Sequence, residues 1–323
     1  MQKNHITEIT PTVDSAAAVV LRSLGTPAQT ISRFPTGLAH YVFDVLTTDG
    51  RRVVARLARR GQEDTFASAV YWHQLLAPRG VPLPALLAVD VQPSRGSFPY
   101  MLMERLPGRD LGEEYLSLSI SQKRRLAQQL ARIQESVSEL PPGPGFGFAR
   151  SYDDPSLHAT WADVLRDILE RSRTSMEAVG VVPTRHVDRV ARKLAAYATY
   201  FVAIQPTAFL DDTTTKNVLV HNGRLSGIVD VDVVCFGDPL FTLALTQMAL
   251  LKRGYDTEYI TFWSDALELT AEQRAVLTLY TAIFCVDFLS ELGQRFNHDA
   301  PISVDDQEID HLVSVLDRLL AVV

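Results

Sequence analysis

Residues 209–251, FLDDTTTKNVLVHNGRLSGIVDVDVVCFGDPLFTLALTQMALL, decide how the rest of the chain is to be read. Asp212 and Asn217 bracket a short polar loop. Val218, Leu219 and Val220 then run into Asn222-Gly223, a dipeptide suited to the positive φ angles of a two-residue hairpin turn. The return strand, residues 225–229, ends at Asp230. Such a hairpin sets the start of one strand beside the end of the other, so Asn217 and Asp230 come within reach of one cation, with Asp212 just upstream. Asx side chains also favour turns for local reasons, by bonding their own backbone. The order and spacing of three of them around one hairpin lift the segment above that preference.

A hard divalent ion such as Mg²⁺ binds through one or two carboxylates plus phosphate oxygens. Phosphoryl transfer needs a further carboxylate to orient the attacking hydroxyl. The pattern Asp-x-x-x-x-Asn, hairpin, apolar-apolar-Asp supplies both. After Asp230 come Gly237-Asp238-Pro239 and an apolar helix, residues 239–251. With these parts the chain resembles the aminoglycoside phosphotransferase and choline kinase-like family of small-molecule kinases, over most of its length from about residue 31. The resemblance implies an α+β, two-lobed protein kinase-like fold: a small antiparallel-sheet N-lobe at 1–106 that binds nucleotide, and a larger, mainly helical C-lobe at 107–323 for catalysis and substrate binding. It implies Asp212 as the catalytic residue, Asn217 and Asp230 as ligands of Mg²⁺, and ATP or GTP as the cofactor.

Residues 13–24 pattern as an amphipathic helix. Tyr41, Phe43 and Val45 then alternate before Asp49-Gly50, and residues 53–57 return, which reads as a two-stranded hairpin. The turn entering it, Pro35-Thr36-Gly37-Leu38-Ala39-His40, occupies the place of the family's nucleotide-covering loop, with Gly37 as the phosphate-contact candidate. Arg56 falls where the family carries a cation directed at the α and β phosphates, a role that suits a guanidinium. The alternative is a solvated strand-end charge among Arg51, Arg52, Arg59 and Arg60. The helix at 65–76 carries, in the family, a Glu paired with that cation; the expected position falls near Ala69. Residues 86–91 and 100–106 read as strands closing the sheet. The segment 100–108, YMLMERLPG, reads as the interlobe hinge, whose main chain at Glu104 and Leu106 is expected to bind adenine.

The remainder patterns as helices at 119–140, 157–176, 186–203, 239–251, 257–265, 271–292 and 305–320. Ser119 or Ser121 is placed to cap the first of these, which carries Ile133-Gln134-Glu135 where the family often has a His. Leu210 replaces the family's His two residues before the catalytic Asp, Asp211 replaces a Gly, and Thr242 replaces an Asp. Lys216 is a second candidate for a phosphate contact. From residue 255 onward there are thirteen Asp or Glu against three Arg. Asp287 and Glu291, one turn apart there, are the candidates for holding a cationic substrate such as an aminoglycoside or amino alcohol, against the alternative of a solvated helical surface.

The whole chain has 323 residues, 46% of them hydrophobic, and a net charge of −7. That balance argues against nucleic acid as a partner. The N-terminus is polar, and the longest apolar run, 240–251, is short of the ~18 residues of a membrane span, so a cytoplasmic protein without membrane contact is expected. Cys235 and Cys285 have neither disulfide nor zinc spacing. The expected activity is ATP-dependent transfer of the γ-phosphate to a hydroxyl of a small molecule, in the manner of an antibiotic-resistance enzyme, with the oligomeric state left open. The alternative is a catalytically impaired pseudokinase that binds nucleotide or protein. The missing His and helix Glu favour it; retention of Asp212, Asn217 and Asp230 opposes it.

Overall fold

The computed structural model describes residues 10–34, 40–59, 61, 63–93, 97–294 and 304–323. These divide into two compact units, one holding the described residues up to Val70 and Pro84–Leu106, the other Tyr71–Leu83 and the described residues from Pro107 onward.

In the first unit, helix α1 (Val13–Leu24) starts at a capping box in which the Thr12 hydroxyl accepts from the Ser15 N–H and the Ser15 hydroxyl accepts from the Thr12 N–H. Its Ala16, Val19 and Val20 pack with Tyr41, Phe43, Val45, Val53, Ala55 and Leu57. Those residues alternate on β2 (Tyr41–Thr47) and β3 (Arg52–Leu57), as strand periodicity requires. With β1 (Ala28–Arg33), β4 (Leu86–Asp90) and β5 (Tyr100–Glu104) they form an antiparallel sheet in the order β1-β2-β3-β5-β4. The two strands expected over 31–57 are therefore three. β1 escapes sequence pattern because none of its residues is fully buried. Helix α2 (Glu63–Leu76) sets Phe66 and Ala69 in a second cluster with Met101 and Met103 of β5.

The second unit runs β6 (Arg109–Asp110), α3 (Leu111–Glu114), α4 (Ile120–Ser138), β7 (Gly147–Ala149), α5 (Trp161–Val179), α6 (Arg185–Leu194), α7 (Ala198–Ala203), β8 (Thr207–Leu210), β9 (Val218–His221), β10 (Arg224–Ile228), β11 (Val234–Gly237), α8 (Leu240–Lys252), α9 (Glu258–Ala266), α10 (Ala271–Glu291) and α11 (Asp306–Val322). Ser119 caps α4 as expected, accepting from the Gln122 N–H. The single helix expected over 186–203 is broken by a 3-10 turn at Ala195–Tyr197. The helix expected from 157 begins at Trp161, since Thr160 is its cap and His158 forms a β-bridge with Phe146. Two small sheets, β10-β9-β6 and β7-β11-β8, lie among these helices and position the polar loop. Both cysteines are buried and unbridged. Among the described residues no helix is long and apolar enough to cross a membrane.

Candidate active site

The hairpin forms where the sequence places it. Asn222 and Gly223 turn between β9 and β10 with φ of 51° and 69°, as a type I′ turn requires. Val218 pairs with Ile228. One step beyond, the Val229 N–H donates to the Asn217 carbonyl at 2.9 Å, which sets Asp230 just past Asn217 on the neighbouring limb. The Thr214 carbonyl accepts from both the Asn217 and Val218 N–H groups at 3.1 Å, so the loop closes as a helical turn. Thr213, Thr214 and Thr215 are buried within it. The Asn217 side chain donates from Nδ2 to the Asp212 carbonyl at 3.4 Å. Asp212 Oδ1 accepts from the Thr214 N–H at 3.1 Å. Asp212 and Asn217 are thus bonded to each other, and Asp230 follows directly on the Val229 contact.

Both flanks of Asp212 are held. Leu210, buried in the core, closes β8, and the buried Gln134 of α4 bonds its main chain twice: Nε2 donates to the Leu210 carbonyl at 3.1 Å and Oε1 accepts from the Leu210 N–H at 3.0 Å. On the other side, the Thr213 hydroxyl lies 3.0 Å from that of Thr242, and the Thr246 hydroxyl donates to the Thr213 carbonyl at 3.2 Å. Asp211 is pushed well above the usual carboxylate range by burial first, then by the charges of Asp212 and Asp232. Asp232 comes close because β8 and β11 pair Leu210 with Val234, a register that continues toward Asp212 and Asp232.

The donor set suits a hard cation. With Nδ2 of Asn217 engaged by Asp212, the oxygen of the same carboxamide is the atom left for a metal, and Asp230, with φ of 63°, adds a carboxylate. Among the described residues no group of three or more His, Cys, Asp or Glu side chains could hold a metal ion. A hard cation at this place would thus have two protein oxygens at most from these residues and would need phosphate oxygens and water for the rest.

The acidic pair is half-buried. Asp287 accepts from the Ser172 hydroxyl at 3.3 Å and is pushed up by burial. Burial and then Asp287 push Glu291 up to about 7, against Lys252 and Lys216. Lys216, itself exposed, thus has Glu291 in its electrostatic surroundings.

In the first unit, Arg56 is only 5% exposed, so it is no solvated strand-end charge. Its guanidinium donates to Nδ1 of His40 at 2.8 Å and lies 5.6 Å from the Phe66 ring centroid, while the His40 and Phe66 rings contact each other. The helix position expected to hold a Glu is the buried Ala69. The Glu104 N–H is committed to the Ala85 carbonyl at 2.9 Å, and the Leu106 carbonyl accepts from Arg105 at 3.0 Å. Gly37 lies outside the described residues.

The Gly237-Asp238-Pro239 motif has a packing role. A Cβ on Gly237 would sit 2.3 Å from the Trp161 ring. The Trp161 indole donates to the Tyr280 hydroxyl at 2.7 Å, which donates to Asp238 Oδ2 at 2.9 Å. Tyr200 donates to the same oxygen at 3.0 Å, and Oδ1 accepts from the Leu240 N–H at 3.1 Å at the start of α8.

The model of the phosphotransferase enzyme family matches residues 30–277, which include the whole of this loop and hairpin. The chain belongs to the phosphotransferase enzyme family. No curated protein sequence matches it. Its fold is that of solved aminoglycoside phosphotransferases. A thermostable mutant of APH(4)-Ia in ternary complex with ADP and hygromycin B is 19% identical with a TM-score of 0.65, over 95% of this chain and 97% of that one. ADP-bound APH(2'')-Ib is 14% identical with a TM-score of 0.66, over 96% and 99%. The streptomycin-ATP complex of APH(2'')-IIa is 14% identical with a TM-score of 0.63, over 97% of each chain.

Three features of this family member leave no local signal in the sequence. Gln134 stands where the family often has a His, and a side chain that bonds main chain across the fold leaves no local pattern. Asp232 is the same residue type as Asp230 two places on, and only the β8–β11 register separates their surroundings. Thr242, in place of the family's Asp, contacts the Thr213 hydroxyl.

Proposed function

We propose that the chain transfers the γ-phosphoryl group of ATP or GTP to a hydroxyl of a small molecule that carries a positive charge, such as an aminoglycoside or amino alcohol. The observation that supports this most is the Asn217 residue, whose side-chain nitrogen is tied to the Asp212 carbonyl and whose own carbonyl is tied to the N–H next to Asp230. One short stretch thereby holds a carboxylate for the attacking hydroxyl and a pair of oxygen ligands for Mg²⁺. Asp212 orients that hydroxyl and accepts its proton. Asn217 and Asp230 would hold the ion, which when bound would neutralise charge on the phosphates. Because phosphoryl transfer passes through a loose transition state, positioning of this kind carries much of the rate.

Arg56 is read as the phosphate cation, backed by His40. The Leu106 main chain and the Glu104 carbonyl are read as the adenine contacts, the Glu104 N–H being already engaged. Gly37 would cover the phosphates, and Lys216 would reach the γ-phosphate. Asp287 and Glu291 would take the amine. The complexes of similar folds with ADP and hygromycin B, or with ATP and streptomycin, agree in ligand class.

The test is thermal-shift titration with magnesium and ATP or GTP, followed by turnover on amino sugars, macrolides and amino alcohols. A magnesium-dependent shift and a phosphorylated product are expected. A shift without any product returns the pseudokinase reading, and no response to either nucleotide removes both.

A further inference from the structure

We infer that Gln134 is a positioning residue for Asp212, resting on the phosphotransfer reading above. Leu210 is the last residue of β8, an edge strand of the β7-β11-β8 sheet. One edge of β8 pairs with β11. A strand whose other edge lacks a partner would leave the chain free to swing where it departs into the loop. Gln134 meets that need from α4, offering one donor and one acceptor in a single plane to the Leu210 carbonyl and N–H at 3.1 and 3.0 Å. It is 4% exposed, so both bonds are sheltered from water. Two residues on stands Asp212, and the next residue, Thr213, is gripped by Thr242 and Thr246 of α8. The proposed base thus sits between two anchored neighbours, one fixed by a side chain that mimics a strand and one by a pair of hydroxyls.

The carboxamide chemistry makes the role specific. Methionine fills similar space with neither polar atom. An ionised glutamate keeps the acceptor for the Leu210 N–H but turns negative charge on the Leu210 carbonyl. A protonated glutamate restores both bonds.

The experiment compares wild type, Gln134→Met and Gln134→Glu by amide hydrogen exchange over residues 211–217 and by steady-state phosphotransfer or ATP hydrolysis. For Gln134→Met, faster exchange confined to 211–217 is expected, with kcat lowered about 10²-fold and KM for ATP within about twofold, as misplacement of a reacting group dictates. For Gln134→Glu, turnover and protection should recover as pH falls and its carboxyl takes up a proton, while Gln134→Met stays low throughout. A folded Gln134→Met protein with wild-type exchange at 211–217 and wild-type kcat overturns the inference. Should that variant not fold, a Gln134→Glu protein insensitive to pH in both measurements overturns it. Wild-type protein without turnover defeats the phosphotransfer reading alone, since hydrogen exchange still decides whether Gln134 fixes the loop.

Discussion

The Asp212 carboxylate accepts from the Thr214 N–H through Oδ1. Asp212→Asn retains that acceptor but cannot take a proton, so kcat should fall about 10²–10⁴-fold while KM for ATP and the melting midpoint stay put, checked by steady-state kinetics and calorimetry. Glu291 gives a second test. Its carboxyl stands at about 7, above the ordinary 4.5, mainly through burial. A carboxyl raised by folding contributes stability that is complete below its ordinary range and is lost as pH climbs through the raised value. Glu291→Gln removes that loss, so urea unfolding should favour the variant by up to about 3 kcal/mol more at pH 8 than at pH 4. If the pair holds an amine, the wild-type KM for it should fall over the same climb. At this scale the sequence made legible the meeting of Asp212, Asn217 and the limb that ends at Asp230, because one continuous loop and hairpin carries all three. It was silent about His40 beside Arg56 and Gln134 beside Leu210, because those contacts join residues far apart in the chain.

Among the secondary-structure elements, long amphipathic helices announce themselves. The start of α4 follows from Ser119, the side-chain cap of a capping box; Thr270 does the same for α10, a helix buried on nearly all sides. The short strands β7, β8 and β11 did not, for three or four residues are too few to establish an alternation. Yet β11 is what delivers Gly237 to the face of Trp161. Gly237→Ala should force the ring and the start of α8 apart and lower stability by about 1–3 kcal/mol. Asp238→Ala should cost about 2–4 kcal/mol, because it strips the acceptor from the buried hydroxyl of Tyr280 and from that of Tyr200. Urea melts of both variants check these figures.

For the whole molecule, the two-lobed α+β class and the family were legible because the decisive loop and hairpin lie in one continuous stretch. Charge is divided along the chain, with the acidic excess beyond residue 254. Trp72 complicates any attempt to take the molecule apart. It belongs to the second unit although it precedes Pro107 in sequence. Its indole is fully buried, donates to the Ala149 carbonyl at 2.7 Å and contacts Tyr152 and Phe236. A fragment starting at Pro107 should therefore give a molten circular-dichroism and fluorescence signature, and a synthetic peptide spanning 63–83 added in trans should restore cooperative melting. The same tryptophan constrains inheritance: a natural or laboratory recombinant joined at the 106/107 boundary would bring a foreign plug for that socket, so productive crossovers ought to fall before residue 71 or be followed by compensating changes around Ala149.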